Sequence, residues 1–189
     1  MSAPAQRLAG LQLRPAAVVG LPAGGTLLSC GHPHSGPGTL DETARRLSHP
    51  ELAVALRLAG EGHRVRSLGE GRTGPIADLM VCGSPVEVKT LRALDDRTDG
   101  RPAGWRTVHN RLASAVRQAA IVVLDAGGSG LSAADAEAGV RYFAGKGAVG
   151  KVREVRVLGD GFAQAWRLVP GREMAAGRVR SPDPLGVSR

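Results

Sequence analysis

The 189-residue chain reads as an α/β domain, with helices packed on a mixed central sheet. Three observations lead there. From residue 39 onward, segments of helical and strand period alternate as helix, three strands, helix, strand, helix, two strands. The run AIVVLDA (120–126) is apolar without alternation, the mark of a strand covered on both faces. Gly-rich and polar clusters of loop length separate these segments.

The elements follow in chain order. Residues 1–38 are rich in Pro, Gly and Ala and hold no sustained period, so they are expected to be disordered or loosely packed. Cys30, His32 and His34 fall there, three residues of metal-ligating type in a turn-rich stretch too short to define a site. Thr39-Leu-Asp-Glu42 has capping-box form and predicts a short helix through Leu47. Pro50 opens a second helix that stops at Gly60 or Gly62, with Leu52, Ala55, Leu56 and Ala59 as its buried stripe. HRVRSL (63–68) is a strand with Val65 inward. IADLMVC (76–82) and PVEVKTL (85–91) are strands joined at Gly83-Ser84, a hairpin signal. A helix over 105–119 carries Val108, Leu112, Ala115 and Val116 at core spacing, and AIVVLDA follows as a strand. Ser132 caps a helix running to about Ala144, and VREVRVL and FAQAWRLV close the domain. The chain thus divides into a loose segment 1–38, a folded domain 39–170 and a flexible tail 171–189.

Composition narrows the function. Aromatics are only 3% of the chain, so the core is built from Ala, Val, Leu and Ile. No apolar run approaches the roughly 18 residues of a membrane span. Two cysteines exclude a disulfide scaffold and a four-cysteine zinc site. The formal net charge is +8, half of it on the two tails. A moderately basic core suits a polyanionic partner such as nucleic acid, and an Arg-rich composition explains the same excess.

The segment Asp78-Leu-Met-Val-Cys-Gly-Ser-Pro-Val-Glu87-Val-Lys89 carries the chemistry. With Gly83-Ser84 as a two-residue turn, Cys82 faces Pro85, Met80 faces Glu87 and Asp78 faces Lys89. Directly paired residues project to one face of a sheet, and residues two apart share a face. Asp78, Glu87 and Lys89 therefore gather on one side, and Ala77, Leu79, Val81, Val86 and Val88 form a core face on the other. One or two carboxylates, with waters and a substrate phosphate, are how Mg²⁺ is held. A cross-strand ion pair with a solvated Glu87 is the plain alternative, and geometry alone admits both.

Asp78, eight intervening residues and then Glu87-Val88-Lys89 on a hairpin resemble the PD-(D/E)XK nuclease pattern. The preceding helix and the following helix and strand match that superfamily's restriction-endonuclease-like core of helix, three strands, helix, strand. The family's Pro before the Asp is replaced here by Ala77. GRTGPIADLMVCGSPVEVKTL (71–91) and RQAAIVVLDA (117–126) further resemble the tRNA nuclease toxin domains of contact-dependent growth-inhibition proteins.

The resemblance implies a Mg²⁺-dependent endonuclease, with Mn²⁺ as substitute. Asp78, Glu87 and the Val88 carbonyl would ligate the metal, and Lys89 would be the catalytic lysine. Glu51 is the candidate acid from the first helix, although Ser48-His-Pro-Glu51 is itself capping-box spacing; Glu61 and Glu70 are lesser candidates. Thr90, Arg106, Arg111 and Gln118 are the candidate substrate contacts. The implied substrate is tRNA ahead of DNA, cut in the cytoplasm after delivery from another cell, with a small acidic immunity protein as partner. The alternatives are a DNA endonuclease of repair or restriction type and a catalytically silent nucleic-acid-binding domain.

Overall fold

The computed structural model describes residues 17–21, 38–69, 77–92, 102–146 and 152–169. These form one eight-stranded mixed sheet with three helices. In chain order the elements are β1 (Ala17–Leu21), β2 (Thr39–Asp41), α1 (His49–Gly60), β3 (Arg64–Ser67), β4 (Leu79–Val81), β5 (Ser84–Thr90), α2 (Trp105–Ala115), β6 (Ile121–Ala126), α3 (Ala133–Gly145), β7 (Glu154–Gly159) and β8 (Phe162–Val169). Across the sheet the strands run β1-β8-β7-β6-β5-β4-β3-β2. The stretch from α1 to β6 keeps the expected order of helix, three strands, helix, strand. The parallel pairs β2–β3, β5–β6 and β6–β7 are each joined through a helix, as parallel neighbours require.

The sheet separates two apolar layers. Val65, Leu79, Val81, Val86 and Val88 pack with Val54, Ala55 and Leu58 of α1 on one face. Leu91, Val122, Leu124, Val155 and Val157 pack with α2 and α3 on the other. β6 alternates between the layers, Ile121 and Val123 in the first and Val122 and Leu124 in the second, which accounts for its unbroken apolar run. Helices α2 and α3 meet at Gly139, where an added Cβ would stand 2.5 Å from Val108 Cβ and 2.6 Å from the Trp105 carbonyl oxygen. The missing side chain lets the two backbones close.

Two expectations need correction. Residues 39–47 are not a helix. Thr39–Asp41 pair with Arg64–Arg66 as β2, the Thr43 N–H then donates to Asp41 Oδ1 at 2.9 Å, and the Leu47 N–H to Glu42 Oε1 at 3.0 Å. The side chains meant to cap a helix bind a turn instead, and nine residues are too few to offset helix nucleation without packing. Residues 17–21, expected within the loose segment, form β1 along β8; backbone pairing to a formed strand needs no apolar period in the partner. The remainder of 1–38, together with Cys30, His32, His34 and Glu70, lies outside the described residues, as does the 171–189 tail.

Candidate functional site

The hairpin of β4 and β5 sets the site. Its turn is Cys82-Gly83, both with positive φ (47° and 89°), the pattern of a tight two-residue hairpin turn. Leu79 faces Val86, Met80 faces Pro85 and Val81 faces Ser84. The turn lies one residue earlier than expected, which moves the pairing by two positions. A two-residue shift leaves every side chain on its own face. Continued by one step, the register sets Asp78 opposite Glu87 instead of Lys89. The three groups remain together, and the valine face is buried as expected.

Asp78 lies just before β4. Its Oδ2 accepts the Val88 N–H at 2.9 Å, and its Oδ1 meets Arg45 Nη2 at 3.2 Å. Glu87, in mid-β5, is only 1% exposed. The Lys89 ammonium is paired with Glu87 Oε1, while Glu87 Oε2 is buried with no hydrogen-bond partner among the described residues. Burial, reinforced by the nearby Asp78 charge, pushes Glu87 up to about 6 against the pull of Lys89. Asp78 is also raised, first by burial and then by neighbouring Glu51, although the Val88 N–H and Lys89 oppose this.

Glu51 opens α1 and does two things at once. Its Oε2 accepts the Ser48 N–H at 2.7 Å, completing the capping box. Both its oxygens also receive Arg45, Nη1 at 2.8 Å and Nη2 at 2.9 Å. That fork holds the Glu51 carboxyl down at about 2. Arg45 thus ties the start of α1 to the start of β4, and its Nε donates to the Leu68 carbonyl at 2.8 Å. The sequence reading missed Arg45. The available signal was two arginines just before a capping box beside three acids, but no spacing rule links residues 33 apart.

The remaining candidates scatter. Glu61 is engaged elsewhere, binding both ends of the buried Arg156 guanidinium at 2.5 Å. Thr90 follows Val86 and Val88 onto the α1 face, away from Glu87 and Lys89; a strand cannot present residues 87, 89 and 90 to one side. Arg106 stacks on the Trp105 ring, 5.2 Å from its centroid. Arg111 is exposed on α2. Neither hydrogen-bonds to Asp78, Glu87 or Lys89. Gln118, in the turn after α2, lines a pocket with Pro85, Arg117 and Arg153. Cys82 is disulfide-bonded and offers no free thiol.

No family model matches this chain. No curated protein matches it either. Among solved structures, it is similar to the CdiA-CT/CdiI toxin and immunity complex from Burkholderia pseudomallei, at a TM-score of 0.44 and 16% identity over 68% of this chain and 98% of that one.

A divalent cation is tested by the donor set. The described residues contain no cluster of three or more His, Cys, Asp or Glu suited to a metal. What they hold is a buried carboxylate oxygen without a partner, beside a second carboxylate, both made costly to ionise by burial. A hard cation relieves that arrangement, so the residues fit one. Arg45 is the competing positive charge. No described helix is long and apolar enough to cross a membrane.

Proposed function

We propose that this chain is a divalent-metal-dependent endonuclease that hydrolyses phosphodiester bonds, with tRNA as first substrate, in the manner of a toxin nuclease domain of the PD-(D/E)XK type. The observation that carries the reading is Glu87: a carboxylate buried in mid-sheet, one oxygen on Lys89 and the other unmatched, adjoining Asp78. Structural carboxylates buried this deeply are normally satisfied, and the exceptions need a reason.

Asp78 and Glu87 would hold the ion, with the Val88 carbonyl beside them. Bound there, Mg²⁺ supplies a lowered water pKa and offsets phosphate charge. The chain's own residues do the rest. Lys89 spends one proton on Glu87 and keeps two to donate to a non-bridging phosphate oxygen or to fix the attacking water. Val88 N–H fixes the Asp78 carboxylate in orientation. Arg45 draws Glu51 toward Asp78. In a toxin setting the partner is a small acidic immunity protein, and the site of action is the cytoplasm of the cell that receives it.

Purified protein incubated with total tRNA and with plasmid DNA, with Mg²⁺ or with excess EDTA, tests this. Cleavage of tRNA in Mg²⁺, none in EDTA and none by Lys89→Ala is expected. Cleavage that persists in EDTA sinks the metal mechanism, and cutting of plasmid alone moves the substrate to DNA. One observation favours a silent binding domain instead: Arg45 already neutralises Glu51 and meets Asp78. That reading requires nucleic-acid binding with no cleavage under any divalent ion.

A further inference from the structure

The face that carries Asp78 and Glu87 continues into a second row of residues, fixed by strand register. Arg66 faces Met80, and Met80 faces Pro85. Val86, Ile121 and Glu154 align across β5, β6 and β7, so one residue earlier Pro85, Ala120 and Arg153 align as well. The Arg153 N–H donating to the Ala120 carbonyl at 2.7 Å agrees. Pro85 shares its face with Glu87, two residues on. The row from Arg66 to Arg153 therefore lies one pleat repeat, about 7 Å, from the row holding the two carboxylates.

At the β5–β7 end this row opens into a surface pocket of about 350 Å³, lined by Pro85, Val116, Arg117, Gln118, Ala119, Ala120 and Arg153. No acidic residue lines it. Arg117 and Arg153 are exposed, and neither is ion-paired among the described residues. Arg117 follows α2, whose terminal carbonyls favour a cation in any case. Arg153 has no such reason. It belongs to a row whose nearer members are Ala120, Pro85 and Met80, and a cation there has no local partner. Arg66, at the other end, already faces Asp41, whose carboxyl is held down first by the Thr43 hydrogen bonds and then, more weakly, by Arg66 itself. The uncompensated charge lies in the pocket.

We propose that this pocket is a second phosphate subsite, which binds a backbone phosphate of the substrate strand within a few nucleotides of the one hydrolysed at Asp78, Glu87 and Lys89. It rests on the nuclease reading above. Pro85, in the pocket wall, stands one pleat repeat from Glu87, and Arg153 lies two strands further across, about 10 Å at the usual strand spacing, a reach of one to a few phosphates along a single strand. Arg117, in the turn after α2, and Arg153, just before β7, both line the pocket, each able to fork onto phosphate oxygens, and the Gln118 amide adds a neutral donor. The ligand class is the phosphodiester backbone of one nucleic-acid strand, which RNA and DNA share.

The test measures binding of short labelled single-stranded RNA and DNA by fluorescence anisotropy, over a salt series in EDTA, with Lys89→Ala as the parent so that nothing is cut. Adding Arg153→Ala is expected to weaken binding several-fold and to flatten the slope of log K against log salt by about 0.7, the value of one single-strand phosphate contact. Its thermal midpoint should match the parent's. Arg141→Ala, on α3 and paired with Glu137, should leave both affinity and slope unchanged. The polymer showing the larger loss identifies the source of the phosphate. An Arg153→Ala protein with the parent's affinity and slope overturns the subsite, even where the wild-type protein cleaves. A wild-type protein that cleaves neither polymer in Mg²⁺, while Arg153→Ala still weakens binding, leaves the subsite standing and removes the nuclease reading. A parent that binds neither strand overturns both.

Discussion

Replacing Glu87 by Gln should stabilise this protein while abolishing its proposed activity. Glu87 is buried, and its carboxyl is raised from an ordinary 4.5 to about 6. A folded-state pKa above the unfolded value means that the folded chain holds the proton more tightly. Below pH 4.5 both states are protonated and nothing is lost. As the pH climbs through 6, ionisation costs stability, in full at neutrality. The rise from 4.5 to about 6 corresponds to about 2 kcal/mol. Gln keeps an oxygen for Lys89 and removes the charge, but it places an amide nitrogen where Oε2 now lacks a partner, a cost of about 1 kcal/mol. The net gain is about 1 kcal/mol near pH 7.5, or about 2–4 °C in melting temperature, and it vanishes or reverses at pH 4.5. Thermal unfolding of both proteins in EDTA between pH 4.5 and 8 reads this directly. Glu51 titrates in both proteins, and Asp78, whose charge helps raise Glu87, shifts with it, so the difference reports the Asp78–Glu87 pair. A Gln variant whose stability relative to wild type stays constant with pH, or falls as the pH rises, refutes the reasoning.

Three further outcomes follow from the same geometry. Mg²⁺ should raise the wild-type melting temperature more at pH 7.5 than at pH 5, by up to about 2.7 kcal/mol of stabilisation at a hundredfold excess over Kd, and Glu87→Gln should lose that response; differential scanning fluorimetry checks it. Glu61→Ala strips the buried Arg156 of its two-bond partner and should cost about 3 kcal/mol in urea unfolding. Gly139→Ala drives a methyl group into Val108 and the Trp105 carbonyl; about 1–3 kcal/mol should be lost in urea unfolding, with cleavage per folded molecule unchanged.

Much of the arrangement was legible beforehand because it rests on periodicity. β6 announced itself by an apolar run that only a doubly covered strand tolerates, and α3 by Ser132, whose side chain accepts the Asp135 N–H. The grouping of Asp78, Glu87 and Lys89 survived a misplaced turn because side-chain direction repeats every two residues and the error was two. What escaped was decided by tertiary partners. Thr39–Leu47 carries helix-capping chemistry, yet β3 offers Leu40 a strand neighbour in Val65. β1 has no pattern of its own and exists through β8. Arg45 reaches Asp78 only because α1 and β4 begin at the same end of the sheet. Thr90 was grouped by proximity in sequence, and alternation sent it to the opposite face.

The pairing of β1 with β8 has a consequence for any shortened form of this chain. Both outer margins of the sheet are supplied by its first 41 residues, β1 at one and β2 at the other. Trimming the chain to begin at residue 38 would bare the five residues of β8, Ala165–Val169, that β1 covers. A naked edge of that length recruits strands from other molecules. Such a trimmed protein should self-associate through that edge.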